Sequence, residues 1–313
     1  MTAYRFDDLP PVGPAVITLG VFDGVHVGHR HLAAATHRAA VEADAASAAL
    51  VFSPHPDEVI RPGYRVPRLL PPSVTLDRLR AAGIEHVLEV RFDEEVRSLA
   101  PEDFLDGLAP SLALRAVVMC TDSAFGRGRA GTLERVGEIG RDRGFEAIGV
   151  DLLLVDGAPM SSSRIREALS AGDVDAATRH LLSPPLLRGT VVHGDQRGRE
   201  LGFPTANLAF DYHPALPALG IYLGRVACPA RSVGPAHAAL VSVGVRPTFH
   251  DDGRVLVEVY LLDWDGDLYG TSLEVELIER LREERRFDSV GALVRQMRED
   301  ERTARARLGA DGG

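Results

Sequence analysis

Two histidines that could bind phosphate, His26 and His29, follow an apolar run near the start of the chain. The run AVITLGVF leads into DGVHVGH, and an alanine-rich helix is predicted from about His29 to Asp44. A strand that leads into a helix presents free backbone amides to phosphate, and Gly24 and Gly28 let the backbone approach closely. The imidazoles could donate hydrogen bonds to a triphosphate and to the charge that develops when its α-phosphorus is attacked. The pattern favours nucleotidyl transfer without a covalent intermediate over two surface histidines that cap a helix.

A second candidate anion site is the segment SSSRIR at residues 161–166, which follows the apolar run DLLLVDG. Hydroxyl groups and new helix amides, with Arg166 one turn further on, could bind an anion by the same physics. The alternative is an ordinary serine-rich helix cap, and the segment alone does not decide between the two.

A third candidate site is the stretch GTVVHGDQRGRELGFPTAN in the second half, with glycines at 194, 198 and 202. The backbone amides of a glycine-rich turn can bind phosphates. Thr205 and Asn207, predicted to lie on a rigid turn after Pro204, offer a hydroxyl and an amide oxygen, which are hard neutral ligands suited to Mg²⁺. A simple Pro-Thr turn closed by an asparagine is the alternative for PTAN taken alone.

One carboxylate downstream, Glu258, lies in the alternating run VEVYLLD. The period of a strand places Glu258 on the same face as Leu256 and Tyr260, opposite Val257 and Val259. A single positioned carboxylate can take the proton of an attacking alcohol in phosphoryl transfer, although an isolated glutamate on a strand more often only faces solvent.

The elements that would position these groups differ between the two halves. In the first half, the runs AVITLGVF, SAALVFSP, HVLEVRF, AVVMC and AIGVDLL alternate with helical stretches, which predicts βαβ units and a parallel sheet. After about Gly189, short β-rich runs separated by Gly, Pro and Asp predict a small antiparallel barrel. An amphipathic terminal helix is predicted to start at Asp288 or Ser289. Two prolines near Ser183 would interrupt a helix, so domains are predicted at 1–183 and 184–313.

Composition narrows the function class. The formal net charge of −10 disfavours a nucleic-acid-binding surface, and the basic residues are all arginine, so any phosphate clamp uses guanidinium, histidine or backbone amides. The two cysteines, Cys120 and Cys228, have neither disulfide-framework nor zinc-site spacing. Without a long apolar segment or a secretory signal, a cytoplasmic protein with no membrane span is expected, and oligomeric state is not predicted.

The first half resembles the nucleotidyltransferase half of the prokaryotic bifunctional riboflavin kinase/FAD synthetases, through GVFDGVHVGH, FSPHP, AFGRGRAG and SSSRIR. The resemblance implies a Rossmann-like domain that transfers AMP from ATP to FMN with Mg²⁺, in which His26 and His29 bind the ATP phosphates and stabilise the transition state. It implies further ATP-site residues, namely Gly20, Phe22, Asp23, Gly28, Ser162, Ser163 and Arg166. It also implies a flavin and nucleotide pocket formed by Phe52, His55, Pro56, Asp122 and Phe125. The segment CTDSAFG departs from the family pattern, because Cys120 replaces a glycine and Ser123 an aromatic residue.

The second half resembles the riboflavin kinase module of the same family, through GRELGFPTAN, SVGVRPTF, VEVYLLDWDGDLYG and RFDS. The resemblance implies a six-stranded Greek-key barrel with a terminal helix, which phosphorylates riboflavin with Mg-ATP. Glu258 would be the base, Thr205 and Asn207 the metal ligands, and Arg282 a flavin-binding residue. The implied nucleotide-binding residues are Gly194, Gly198, Arg199, Gly202, Pro204 and Thr205.

Four functions are consistent with parts of the sequence. The favoured one is a bifunctional enzyme that makes FMN and then FAD from riboflavin and ATP. A monofunctional riboflavin kinase with an impaired or altered first domain is motivated by Cys120 and Ser123. A non-catalytic flavin-binding module is disfavoured, because binding alone needs none of His26, His29, Asn207 and Glu258 together. A class I tRNA synthetase is disfavoured by the short chain, the acidic charge and the absence of lysine.

Overall fold

The computed structural model describes residues 3–194, 198, 201–228, 237–245 and 255–310, with side chains described as far as residue 307. The chain forms two compact units. The first unit contains residues 1–66 and 72–162, and the second contains residues 67–71 and 163–313.

The first unit is built on a five-stranded parallel sheet. Its strands are β1 (Gly13–Gly20), β2 (Ala46–Ser53), β3 (His86–Arg91), β4 (Leu112–Cys120) and β7 (Glu146–Val150). Short antiparallel pairs are β5 (Ala124–Phe125) with β6 (Gly131–Thr132), and β8 (Leu154–Val155) with β9 (Ala158–Pro159). The helices are α1 (Val27–Glu42), α2 (Pro56–Ile60), α3 (Pro72–Ala81), α4 (Glu94–Ser98), α5 (Pro101–Leu108) and α6 (Leu133–Arg143).

The strand order β3-β2-β1-β4-β7 confirms the Rossmann-like prediction. The chain moves outward from β1 to β3 and then returns to place β4 on the other side of β1. This reversal opens a crevice at the carboxyl ends of β1 and β4, where ligands bind in folds of this type. Apolar side chains such as Ile17, Leu50 and Val117 are fully buried in the sheet, which explains the nearly continuous hydrophobic runs of the sequence.

The second unit is a closed six-stranded barrel with helices attached. Its strands are β10 (Leu186–Val192), β11 (Ala206–Ala209), β12 (Gly220–Ala227), β13 (His237–Val245), β14 (Val255–Leu261) and β15 (Ser272–Glu283). The helices are α7 (Ser162–Ala171), α8 (Val174–Leu181) and the terminal α9 (Val290–Ala310). The order β10-β11-β14-β13-β12-β15 is antiparallel throughout and puts β15 beside β12, which is a Greek-key arrangement. The barrel prediction is thus confirmed.

The barrel has apolar groups on both faces of its wall. Val257 and Val259 point to the interior and are buried, whereas Glu258 and its neighbours on the other face of β14 are only partly buried. The helix α9 packs on that outer face, where Leu240 and Ala304 belong to a second apolar cluster. The side chains around Glu258 therefore lie outside the barrel, on the face that α9 packs against.

The start of α9 agrees with one of the two predicted caps. The Ser289 hydroxyl accepts a hydrogen bond from the Ala292 amide at 3.2 Å, so Ser289 caps the helix. Within the second unit, residues 67–71 pair with the barrel through the Arg68 amide, which donates to the His213 carbonyl at 2.7 Å. A functional boundary between residues 183 and 184 stays a prediction.

Candidate active sites

The turn between β1 and α1 is held in an unusual backbone conformation. Phe22, Gly24 and Val25 have φ values of 54°, 89° and 41°, in the left-handed region. A β-branched residue rarely adopts such a conformation, and positions of this kind concentrate at functional sites. The Val25 amide donates to the Phe22 carbonyl at 2.9 Å and closes the turn. The turn ends at His26, which therefore becomes the N-cap of α1, and the helix begins two residues earlier than the sequence predicts.

The two predicted histidines lie in direct contact. Their rings stack with centroids 3.6 Å apart, and His26 Nδ1 accepts a hydrogen bond from the His29 amide at 3.4 Å. An Nδ1 that accepts leaves the ring proton of a neutral histidine on Nε2. A Cβ at Gly28 would lie 3.2 Å from His26 Cε1, so glycine lets the His26 ring lie close to the helix start. The rings of His26 and His29 therefore have fixed relative positions at the N-terminus of α1.

The environment of His29 keeps its imidazole neutral. Burial and the neighbouring His26 lower the pKa of His29 well below its usual value of 6.5. Within the part of the chain that the structure describes, the buried His29 Nδ1 makes no hydrogen bond. A neutral imidazole can donate a hydrogen bond to a phosphate oxygen without the free-energy cost of burying a charged ring.

One residue of the second predicted anion-binding segment, Ser162, belongs to the first unit and contacts the turn after β1. The Ser162 hydroxyl, at the start of α7, donates to the carbonyl of the buried Asp23 at 2.8 Å. Ser162 is thereby tied to the turn that carries His26. Ser163 and Arg166 belong to the second unit, in which Arg166 Nε donates to the Pro67 carbonyl at 2.6 Å.

The other residues predicted for the first site follow neighbouring strands. Gly20, the segment from His55 and the segment from Asp122 come at or just after the carboxyl ends of β1, β2 and β4, which share one edge of the sheet. His55 caps α2, accepting the Asp57 amide at 3.1 Å, and Pro56 is the first residue of that helix.

Two aromatic residues predicted to line the flavin pocket belong to the hydrophobic core. Phe52 and Phe125 are 7% and 9% exposed, and both rings contact Phe104. Their contribution to a pocket would come from packing beneath it. At the departure from the family pattern, the Ser123 hydroxyl donates to the Cys120 carbonyl at 2.7 Å, and burial with nearby Asp122 raises the pKa of the Cys120 thiol.

In the barrel, strand register brings the predicted catalytic groups together. Asn207 on β11 and Ser242 on β13 each pair with Glu258 on the strand between them. The Thr205 hydroxyl donates to Glu258 Oε1 at 3.3 Å. The sequence prediction of a turn at 204–207 was wrong for its second half, because Ala206 pairs with Val259 and Asn207 has strand partners on both sides.

The glycines before β11 allow very close packing. A Cβ at Gly194 would lie 2.3 Å from Asn207 Nδ2, and one at Gly198 would lie 2.4 Å from the Phe203 carbonyl oxygen. Gly202 has a φ of 84°, which a side chain would disfavour. Arg199, predicted to bind nucleotide, lies outside the described residues.

Two cavities meet at this cluster. The first has a volume of about 480 Å³ and the second about 490 Å³, and Gly194, Thr205 and Asn207 line both. The first is lined mainly by apolar side chains, among them Leu240, Leu256, Tyr260 and Met297. Its lining also includes four charged side chains, namely Glu258, Arg282, Glu284 and Asp300. The second is lined by Pro204 and by aromatic and acidic residues, among them Trp264, Asp265, Asp267 and Tyr269.

Arg282 lies in the wall of the first cavity, but its guanidinium is already engaged. Its Nε donates to Asp300 Oδ1 at 2.9 Å and its Nη2 to Asp300 Oδ2 at 2.7 Å. Asp300 was not predicted from the sequence. A signal was present, because Leu293, Met297, Asp300 and Ala304 follow the spacing of one helix face, and an acid within an apolar stripe needs a buried partner.

Comparison with known families identifies the two halves as transferase domains. A family model described as riboflavin kinase matches residues 181–308, and one described as FAD synthetase matches residues 11–164. The chain is therefore a transferase that combines a kinase domain with a nucleotidyltransferase domain.

Curated relatives cover both halves at once. The bifunctional riboflavin kinase/FMN adenylyltransferase of Pseudomonas fluorescens is 36% identical over 93% of this chain and 92% of its own length. The protein of the same name from Listeria monocytogenes is 33% identical over 93% of this chain and 91% of its own. The chain belongs to the bifunctional riboflavin kinase/FMN adenylyltransferase family, which confirms the prediction of a bifunctional enzyme over a kinase alone.

A solved structure is similar over the whole chain. The crystal structure of a macrolide-efflux protein from Streptococcus pneumoniae superposes with a TM-score of 0.86 at 30% identity, covering 97% of this chain and 99% of that one. Among the described residues of the present chain, no helix has both the length and the apolar character needed to cross a membrane.

Proposed function

We propose that the barrel phosphorylates riboflavin where its two cavities meet. The observation that carries this proposal is the position of Glu258 in the wall of the first cavity, beside Thr205 and Asn207, which line both. We assign the flat ring system of riboflavin to the first cavity, which is lined mainly by apolar side chains, and ATP to the second, which shares Gly194, Thr205 and Asn207 with the first. A substrate in each would bring the ribityl 5′-hydroxyl and the γ-phosphate together at the shared wall.

In this mechanism Glu258 is the general base. The carboxylate takes the proton of the 5′-hydroxyl, the hydroxyl oxygen bonds to the γ-phosphorus, and the bond to the bridging oxygen breaks to release ADP. The Thr205 hydroxyl, which donates to Glu258 Oε1, holds the carboxylate in one orientation. The product is FMN.

The residues at the shared wall fit a magnesium ion. Thr205 and Asn207 offer neutral oxygen ligands, and the carboxylate of Glu258 is adjacent to both. We propose that Thr205 and Asn207 would hold Mg²⁺ together with the nucleotide. The ion, when bound, offsets the negative charge of the phosphates.

The turn at residues 20–29 is proposed as the adenylyl-transfer site. There an FMN phosphate oxygen attacks the α-phosphorus of ATP, pyrophosphate leaves, and FAD forms. His26 and His29 would donate hydrogen bonds to phosphate oxygens, assisted by the amides at the start of α1. Ser162, whose hydroxyl proton is donated to the Asp23 carbonyl, would hold the turn in place. Support comes from the stacked pair of rings, the neutral His29 and the bond between Ser162 and Asp23.

The proposed partners are small molecules alone: riboflavin, FMN and ATP. Neither nucleic acid nor membrane is part of the proposal, and action in the cytoplasm stays a prediction.

Chromatographic separation of products tests both steps. The purified protein would be incubated with ATP and Mg²⁺ and either riboflavin or FMN, with reactions lacking Mg²⁺ as controls. FMN followed by FAD from riboflavin, and FAD from FMN, are the expected products. FMN without FAD would contradict the adenylyl-transfer proposal, and the absence of both would contradict the whole proposal.

A further inference from the structure

Two bidentate ion pairs attach α9 to the barrel, and they differ sharply in burial. Arg305 of α9 binds Asp263 with two hydrogen bonds of 2.8 Å, and these side chains are 43% and 74% exposed. Arg282 of β15 binds Asp300 of α9, and those side chains are only 11% and 6% exposed. An exposed pair adds little to stability, and a buried one can cost more in lost hydration than it returns. Attachment of the helix alone therefore does not explain the buried pair.

The buried pair fixes the orientation of the Arg282 guanidinium. Asp300 takes Nε and Nη2, and Nη1 donates to the Glu283 carbonyl at 2.9 Å. Gln296, one turn earlier on α9, donates to Asp300 Oδ1 at 2.9 Å and so holds the carboxylate itself. A guanidinium carries five N–H groups, and the described residues accept only some of them. The remaining donors keep a fixed direction as long as Asp300 holds the other edge.

Arg282 and Asp300 also line the first cavity, together with Leu293 and Met297 of the same helix. Resting on the proposed function, we propose that Asp300 is a positioning residue for riboflavin. It holds Arg282 so that the remaining donors meet hydrogen-bond acceptors of the flavin ring, and it keeps the apolar face of α9 over the cavity. The second cavity contains none of these residues, so Asp300 should affect riboflavin and leave ATP alone.

The test compares Asp300→Asn with a matched control, Arg305→Gln, which breaks the exposed pair of the same helix. The riboflavin Kd is measured by the quenching of riboflavin fluorescence on binding. The KM values of riboflavin and of ATP are measured from the rate of FMN formation. Asp300→Asn should raise the riboflavin Kd and KM about 10- to 100-fold, as loss of a group that orients a ligand-binding side chain does elsewhere. The ATP KM should change less than about twofold, and Arg305→Gln should leave all three constants near wild type.

A double-mutant cycle separates positioning from general support of the fold. In an Arg282→Gln background, Asp300→Asn should add almost nothing to the riboflavin Kd, since it acts through Arg282. Additive effects, or equal increases in the KM of riboflavin and ATP, would overturn the inference. If Asp300→Asn does not fold, Gln296→Ala takes its place, with a smaller rise in the same direction expected and an unchanged Kd contradicting the inference. Failure of the wild-type chain to form FMN would instead contradict the proposed function.

Discussion

The two candidate sites of this chain differ in how their reactive groups are assembled. In the first unit, Phe22 to His29 form one contiguous stretch, the turn after β1 and the first residues of α1, which we call the loop site. Left-handed backbone conformations at three positions shape its turn. In the barrel, Asn207, Ser242 and Glu258 come from three strands, and pairing register alone puts them side by side. A site on one loop depends on local backbone geometry, whereas a site across strands depends on the whole wall. The following predictions test this contrast, from the largest expected effect to the smallest.

Glu258→Gln should break the barrel site and spare the loop site. Glutamine keeps an acceptor for Thr205 but cannot take a proton, so FMN formation should fall by roughly 10²- to 10⁴-fold. FAD formation from supplied FMN should persist. The rates of both reactions are measured for this variant and for Glu276→Gln, which changes a carboxylate on another strand that contacts Arg225. Equal loss of both activities in Glu258→Gln would mean a structural role.

His29→Ala should impair the loop site and spare the barrel site. Loss of a donor to the transition state costs about 10²- to 10³-fold in rate, so FAD formation should fall by that factor while FMN formation stays near wild type. The exposed His31, on the same helix, provides the control variant His31→Ala. Unchanged FAD output in His29→Ala would remove His29 from the mechanism.

Gly194→Ala and Gly28→Ala compare the tolerance of the two sites to a single methyl group. The new Cβ would lie 2.3 Å from Asn207 Nδ2 in the barrel but 3.2 Å from His26 Cε1 in the loop. Gly194→Ala should destabilise by about 1–3 kcal/mol and lower kinase activity, and Gly28→Ala should have a smaller effect. Thermal unfolding measures both, with Gly137→Ala as a control because its nearest contact is 3.8 Å away. The opposite ranking would contradict the packing argument.

The free energy of unfolding should depend on pH in part through His29. Because the pKa of His29 is lowered in the folded state, its contribution to stability is fully present above pH 6.5 and declines as the pH falls below that value. Urea unfolding between about pH 7 and 5 should therefore show a shallower loss of stability in His29→Asn than in the wild type. Identical slopes would contradict a buried neutral His29.

Intrinsic fluorescence should report the barrel alone. Trp264 is the single tryptophan of the chain and lines the second cavity. Addition of Mg-ADP should change its emission by a modest fraction, whereas nucleotide bound in the first unit has no tryptophan there to report it. A signal that persists unchanged in Gly194→Ala at the same nucleotide concentrations would argue against the second cavity as the nucleotide site.

The contrast also explains what the sequence could predict. The loop site was found because its groups are contiguous, so the run AVITLGVFDGVHVGH shows strand, turn and helix start together. Strand alternation likewise placed Glu258 on the correct face of β14. The contact of Glu258 with Thr205 and Asn207 needs the barrel register, which no local pattern specifies. Without the register, Ala206 and Asn207, the first two residues of β11, were predicted to lie in a turn.

Partners that meet only through tertiary packing escaped the sequence analysis. The resemblance implies that Arg282 binds flavin. The buried carboxylate that orients Arg282, Asp300, lies 18 residues further along the chain on another element. The burial of Phe52 and Phe125 in the core, against Phe104, likewise depends on how α5 packs on the sheet. The first cavity follows from the packing of α9 on the outer barrel wall, and the second is lined by β10, β11, β14 and the turn after β14, so no single segment encodes either.

The pairing of Glu258 with a residue on each side of β14 limits which insertions and deletions this protein can accept during evolution. Since strand side chains alternate, a one-residue deletion or insertion early in β14 would turn Glu258 into the barrel interior and bring a valine to the cavity. A single substitution in this strand leaves the other side chains on their faces, whereas a change in its length moves all of them to the opposite face. In a library of random insertions and deletions, the seven residues of β14 should tolerate none, while the turn between β8 and β9 should accept them freely.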